Sequence, residues 1–274
     1  MAFRVFELKP IMMIKKIVKK IIPKKHLLLL VEKCLFIKTF MFRMIYRGSR
    51  YSCSFCNHSF SRFLPSGFKL NVLKEKKIIG GGYRLNATCP YCSSSDRDRL
   101  VHLFLKEHKL LYRHMRLLHV APERSLQKLF ERKDIEYFSA DLKSYFAEIK
   151  MDLKNIKYPA NYFDAIICNH VLEHIVDDKK AMRELYRVLK PGGWAILQVP
   201  YSPVLKKTFE DSLIIRAKER KMVFGQLSHV RIYGTDYINR LQSVGFQAKQ
   251  ENLDKNATKK FALNPNEMIF FCKK

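Results

Sequence analysis

The sequence predicts an α/β fold: a mostly parallel sheet with helices on both faces, preceded by a small cysteine module and a basic amphipathic arm. Three observations predict it. From residue 111 onward, short apolar strand patterns alternate with helical ones, as in a sheet wound through crossover helices. Two C-x2-C pairs stand ahead of that alternation, and the first 50 residues carry 13 basic and only 2 acidic side chains. A length of 274 residues fits one large domain with an appendage. The expected division is an arm over 1–50, a cysteine module with a linking helix over 51–110, and the sheet domain over 111–274.

The arm comes first. Residues 11–22 read IMMIKKIVKKII. At about 100° per residue, Ile14, Ile17, Val18, Ile21 and Ile22 share one helical face and Lys15, Lys16, Lys19 and Lys20 the other. Pro23 stops the helix, and a second apolar stretch runs from residue 26 to 46. The apolar run 27–31 is too short for a signal peptide and no small-residue cleavage site follows it. Charges interrupt it too often for a membrane span, which needs roughly 18 or more uncharged residues. The longest uncharged run elsewhere, 191–205, contains three prolines. A cytoplasmic protein with reduced thiols is expected. The net charge of +27 asks for an anionic partner. Because the densest charge belongs to an amphipathic segment, residues 11–47 are expected to touch an anionic membrane surface peripherally, at its inner face. Docking of the arm on protein is the competing reading, and nucleic acid ranks below both.

The module follows. Cys53 and Cys56, and Cys89 and Cys92, form two C-x2-C pairs with 32 residues between them. Two such knuckles complete a tetrahedral site of four thiolates, so a zinc-ribbon-like module with a structural zinc ion is expected, with no coordination position left for catalysis. His58 is too close to Cys56 to serve and is read as a surface residue. Gly80-Gly81-Gly82 marks a turn between the knuckles. Ser93, Ser94, Ser95 and Asp96 offer N-caps for a helix over 97–110 that joins module to sheet.

In the sheet domain, strands are expected at 117–121, 135–140, 163–169, 194–199, 246–253 and 268–272. Helices are expected at 124–132, 177–189 and 235–244. Lys190-Pro191-Gly192-Gly193 reads as a helix stop and turn. Ligands of such sheets bind at the carboxyl ends of the strands.

The stretch Phe163 to Pro200, FDAIICNHVLEHIVDDKKAMRELYRVLKPGGWAILQVP, resembles the middle of a class I S-adenosylmethionine-dependent methyltransferase: a strand, V-L-E-H, a helix ending R-V-L-K-P-G-G, and the next strand. The resemblance covers about residues 111–274 and implies a Rossmann-like class I methyltransferase sheet. The two cysteine pairs, Phe224-Gly225-Gln226, His229-Val230-Arg231 and Tyr233-Gly234 resemble a bacterial subgroup with a cysteine-rich front end. The first loop departs from the family. Where an acid and a G-x-G-x-G run are usual, the chain has Leu118-His119-Val120-Ala121-Pro122-Glu123.

The resemblance implies S-adenosylmethionine bound by His119, Ala121, Pro122 and Glu123 in the first loop and by Asp141 at the end of the second strand. Asp141 would accept from the ribose hydroxyls. Asp152 and Leu153 would meet the adenine, and Asn169 and His170 would border the cofactor. Glu173 and His174 are read as bracing the turn into the next helix. His229 is the expected general base with His170 as runner-up, and His229, Arg231 and Tyr233 are expected to bind the acceptor. The leading function is methyl transfer to a small-molecule or glycan acceptor near a membrane. The alternatives are an RNA methyltransferase gripping phosphates with module and arm, and a non-catalytic zinc-containing binding protein.

Overall fold

The computed structural model describes residues 41–42, 44–131, 134–144 and 147–274. The helix expected over 11–22 lies outside the described residues, and of the second apolar stretch only its end is described: 41–42 and 44–45 are helical. Among the described residues no helix is long and apolar enough to cross a membrane. The chain divides between Arg47 and Gly48, and Gly48–Lys274 is one unit. Module and sheet domain therefore belong together, where the sequence suggested two parts.

The module contains β1 (Arg47–Ser52), β2 (Ser59–Phe60), β3 (Leu64–Ser66), α1 (Asn71–Glu75) and β4 (Arg84–Thr88). β1 pairs with β2 and β3 with β4. The helix α2 (Asp96–Glu107) begins in a capping box: Ser95 Oγ accepts from the Asp98 amide at 3.1 Å, and an Asp98 carboxylate oxygen accepts from the Ser95 amide at 2.9 Å. This helix does more than link. Its Leu100, Phe104 and Leu105 are buried against the sheet with Phe271. Arg99, fully buried, donates to the carbonyls of Ala87 and Ser94 in the module and of Phe261 and Ala262 far along the chain.

The remaining elements are β5 (Arg116–Val120), α3 (Arg124–Phe130), β6 (Glu136–Asp141), β7 (Ile149–Lys150), β8 (Phe163–Asn169), a 3-10 turn (Leu172–His174), α4 (Asp178–Val188), β9 (Leu189–Gln198), β10 (Phe209–Glu210), α5 (Ala217–Phe224), β11 (Arg231–Ile232), α6 (Tyr237–Gln242), β12 (Gln247–Glu251), α7 (Lys255–Lys260) and β13 (Ile269–Lys273). Seven of these strands form one sheet in the order β12-β13-β9-β8-β5-β6-β7. β5 to β9 run parallel, and β13 is antiparallel to both neighbours. Both faces are buried, as near-continuous apolar strands require. In β5 and β8, Leu118, Ile166 and Cys168 point into one core with Leu185 and Tyr237, while Leu117, Ala165 and Ile167 point into the other with Phe104 and Trp194.

One local expectation is corrected. Lys190 to Gly193 is no free turn: α4 passes directly into β9, which starts at Leu189, and the extra residues are absorbed as an irregularity against β8. Lys190 anchors it through Asp164 at 2.6 Å.

Candidate functional site

Chain order reverses between β5 and β8, so the carboxyl ends of these strands open a crevice. Ala121 follows β5 with φ +49°, the left-handed region that glycine normally fills. The backbone thus makes the first-loop turn without the glycine. His119 is not placed as expected. It is fully buried, with Nδ1 3.0 Å from the Tyr137 hydroxyl and Nε2 2.7 Å from a Glu123 oxygen. Both of its nitrogens are engaged, and its role is to hold Glu123 and the loop rather than to touch a ligand. Pro122 lies half-buried beside it. Asp141 ends β6, and its Oδ1 accepts from the amides of Lys143 and Ser144, both at 2.7 Å. Asp152 is half-buried and Leu153 buried in the turn after β7. Asn169 ends β8 with its Oδ1 buried and unpartnered, an orphan acceptor that a ligand donor would satisfy.

Beyond β8 lies a cavity of about 260 Å³ lined by Gly80, Arg97, His170, Glu173, His174 and His229, among others. Three distant segments build it. Gly80, from the module, has φ +74°, and a Cβ there would sit 3.3 Å from Glu267 Oε1 and 3.4 Å from His170 Cε1, so any other residue would be strained in backbone and crowded at this approach. His170, itself at φ +57°, donates its amide to the Gln198 carbonyl. The Val230 amide donates to the Glu173 carbonyl at 3.0 Å and so fixes the loop carrying His229.

Burial disfavours the charged forms of the cavity's histidines and of Glu173. Burial pushes the Glu173 carboxyl up to about 8 and the His229 imidazole down to about 4, and it lowers His170 and His174 as well. Glu267 is pushed up to about 7, again by burial. His229 Nδ1 lies 3.3 Å from the Phe224 carbonyl and donates to it, which leaves Nε2 as the basic nitrogen.

Two expected acceptor contacts are corrected. Arg231 borders the cavity but is only 3% exposed, and its guanidinium donates to the carbonyls of Leu172, Ile175 and Val176 and to Glu210. Tyr233 is fully buried, and its hydroxyl donates to Asp178 at 2.7 Å. With their donors used inside the protein, Arg231 braces the turn that carries Glu173 and Tyr233 braces the start of α4, rather than binding a ligand. The converse also holds: Glu173 and His174, read from the sequence as braces, line the cavity.

Residues 119–197 match the protein family described as methyltransferase domain. They run from inside β5 to the end of β9 and contain the whole crevice. Over this segment the chain is similar to class I S-adenosylmethionine-dependent methyltransferases. Among similar proteins, the ubiquinone/menaquinone biosynthesis C-methyltransferase UbiE of Vibrio cholerae is 34% identical over 58 residues, 21% of this chain and 22% of that protein. The chloroplastic 2-methyl-6-phytyl-1,4-hydroquinone methyltransferase 1 of rice, Oryza sativa, is 32% identical over 101 residues, 36% of this chain and 26% of that protein. The chain thus matches about a quarter of these relatives' length. A solved S-adenosylmethionine-dependent methyltransferase from Archaeoglobus fulgidus is 15% identical, covers 66% of this chain and 95% of its own, and has a TM-score of 0.43.

The methyltransferase domain is buttressed by the cysteine module. Cys53, Cys56, Cys89 and Cys92 place their four sulfurs within 4.8 Å of one another. Cys53 and Cys92 are 3.5 Å apart and Cys56 and Cys89 3.8 Å, close to the ~3.8 Å edge of a tetrahedron with ~2.3 Å zinc–sulfur bonds. The two knuckles repeat one backbone pattern. Asn57 and Ser93 donate to the Cys53 and Cys89 carbonyls, while Cys53 and Cys89 donate to the His58 and Ser94 carbonyls. Asn57 and Ser93 both have positive φ. Such amide-lined turns suit a shared ion. His58 is turned away, bonded to the Cys56 carbonyl and stacked on Tyr91.

Proposed function

We propose that the protein is an S-adenosylmethionine-dependent methyltransferase whose acceptor is a small molecule held in the cavity beside His170. One observation carries this reading: the family match at 119–197 coincides with the crevice, and the cavity adjoins it through His170, the residue after β8. The relatives' printed names, quinone-pathway and hydroquinone methyltransferases, support a small acceptor. So does a cavity volume of about 260 Å³. The residues fit the cofactor. Asp141 would take the ribose hydroxyls, Asp152 and Leu153 would flank the adenine, and the orphan Asn169 oxygen and the left-handed turn at Ala121 would lie along its length. When bound, the cofactor supplies an electrophilic methyl group.

The chain's own residues orient the acceptor and move its proton. Orientation accounts for most of the rate in an in-line displacement. The Gly80 loop forms one wall of the cavity. His170 and His229 are both neutral at physiological pH, and each offers a basic nitrogen toward the cavity. Arg231 positions the turn between them. In the module, Cys53, Cys56, Cys89 and Cys92 would hold a structural zinc ion that keeps the Gly80 wall in place. The arm over 11–47 would bring the enzyme to an anionic membrane surface on the cytoplasmic side.

The test is calorimetric titration of S-adenosylmethionine into the full chain and into Asp141→Ala. Binding by the wild type and a loss of about 100-fold in the variant is expected, the scale of losing two hydrogen bonds to a charged group. A folded wild type that binds no cofactor rejects the proposal. Metal analysis of the same wild type should return zinc, lost in Cys89→Ser.

A further inference from the structure

The acceptor cavity contains a second group of metal-type donors, separate from the cysteines. Among the described residues, Glu173, His174 and His229 each place one donor atom within 4.8 Å of the others. We propose that these three side chains form a divalent transition-metal site open to the acceptor cavity. The proposal rests on reading that cavity as the acceptor site.

Glu173 is the decisive residue. It is 1% exposed, and neither carboxylate oxygen has a hydrogen-bond partner. The nearest nitrogens, His170 Nδ1 at 3.7 Å and His229 Nε2 at 3.9 Å from Oε1, are too far to hydrogen-bond. A buried carboxyl group with neither oxygen partnered is costly whether neutral or ionised, and ligation to a cation would satisfy it. The spacing suits an ion between the groups instead of direct contact. Donors ~2.0–2.2 Å from one ion lie roughly 3–4.4 Å apart, so a small closure of the observed cluster suffices.

The surroundings are those of metal ligands. His229 gives its Nδ1 proton to the Phe224 carbonyl and turns Nε2 toward Glu173. His174 is likewise hydrogen-bonded to the Ser228 backbone, and its ring meets that of His229 edge-on at 4.7 Å. Carbonyl acceptors behind ligating imidazoles fix ring and tautomer in metal sites. The Val230 to Glu173 backbone bond locks the two halves of the cluster together.

Two imidazoles and one carboxylate favour zinc, iron(II), cobalt(II) or manganese(II) over calcium or magnesium. Three protein ligands leave positions facing the cavity, as in catalytic rather than structural sites. These positions suit an oxygen donor on the acceptor, a hydroxyl or phenol whose proton such an ion acidifies. His170, with an unpartnered Nδ1, then remains as the proton acceptor. Arg97 adds a positive charge to the same cavity.

The experiment counts ions in the full chain. Protein stripped with a chelator is titrated with zinc and, after one equivalent, with cobalt(II). We expect two equivalents in the wild type, the second giving cobalt absorption without thiolate charge-transfer bands. Glu173→Gln and His229→Gln should each lose the second equivalent and keep the first. A wild type that takes one equivalent only, or a second equivalent that survives both substitutions, overturns the site. If a variant does not fold, the cobalt spectrum of the wild type decides alone: thiolate bands throughout reject the proposal. Cofactor titration on the same samples separates the two readings. Cofactor binding without a second ion removes the metal site only, whereas no cofactor binding by metal-replete wild type removes the methyltransferase reading.

Discussion

Glu267 shows how much one buried carboxylate can tell about this cavity. It is 7% exposed, and its carboxyl is pushed up to about 7 by burial, with Asp96 adding to the rise and Arg97 and Arg84 opposing it. In the unfolded chain the same group ionises near its ordinary value of 4.5. Between those two values the folded state holds the extra proton, so stability falls as pH rises from about 4.5 to 7 and then levels off. The full effect is on the order of 3 kcal/mol. Glu267→Gln removes this dependence. The melting temperature of the variant relative to wild type should therefore climb by several degrees between about pH 5 and pH 8, measured by calorimetry across that range. A constant difference would show that Glu267 is ionised in the fold. The residue scale is also where the sequence misled. His119 and Arg231 have the right chemistry for ligand binding, but partners distant in sequence consume their polar atoms: Tyr137 in one case, and the 172–176 backbone and Glu210 in the other. Glu173 has the opposite history, since nothing in V-L-E-H says which side chains the turn will leave unpaired.

At the scale of elements, the cavity wall depends on two short helices meeting. α5 ends at Gly225, whose φ is +86° and where a Cβ would lie 2.3 Å from Leu73 Cδ2 of α1. The same helix end supplies the Phe224 carbonyl that orients His229. Gly225→Ala must therefore strain the left-handed cap, at about 1–2 kcal/mol, and overpack the contact, at about 1–3 kcal/mol. We expect a stability loss of about 2–4 kcal/mol, and for the active enzyme a raised acceptor KM. Leu73→Ala in the same chain should recover the packing part, because residues in contact couple. Equal losses in the single and double variants, read by denaturant unfolding, would dismiss the contact as the cause. Elements of this kind were legible in part. β5, β6 and β8 lie at or next to their expected places, because both of their faces are apolar and alternation is irrelevant to finding them. The helix expected over 235–244 shrank to Tyr237–Gln242, and the 190–193 turn lies inside β9 as an irregularity between its pairings with β8 at Leu189 and Trp194. The α1–α5 contact joins Leu73 to Gly225, and no periodicity encodes a meeting so far apart in the chain.

Over the whole molecule, charge and architecture separate. The site's acids, Asp141, Asp152 and Glu173, sit at the carboxyl side of the sheet, where a cationic cofactor or metal ion would be offset locally. The largest basic excess lies in the first 50 residues. Two kinds of attraction to an anionic surface follow, and they respond differently to salt. Residues 48–274 remain basic, and adhesion by charge alone fades once the screening length drops to about 10 Å at 0.1 M salt and below. The helix that the sequence pattern predicts over 11–22 would add an apolar face, whose insertion is insensitive to screening. The full chain should therefore sediment with phosphatidylglycerol vesicles at low salt and keep a substantial bound fraction at about 0.5 M. A chain starting at Gly48 should bind weakly at low salt and not at all at about 0.5 M, while its cofactor affinity stays within about twofold. If both proteins detach together as salt rises, the apolar face contributes nothing. The arm is then an electrostatic element only, and an anionic surface of any kind would serve it equally.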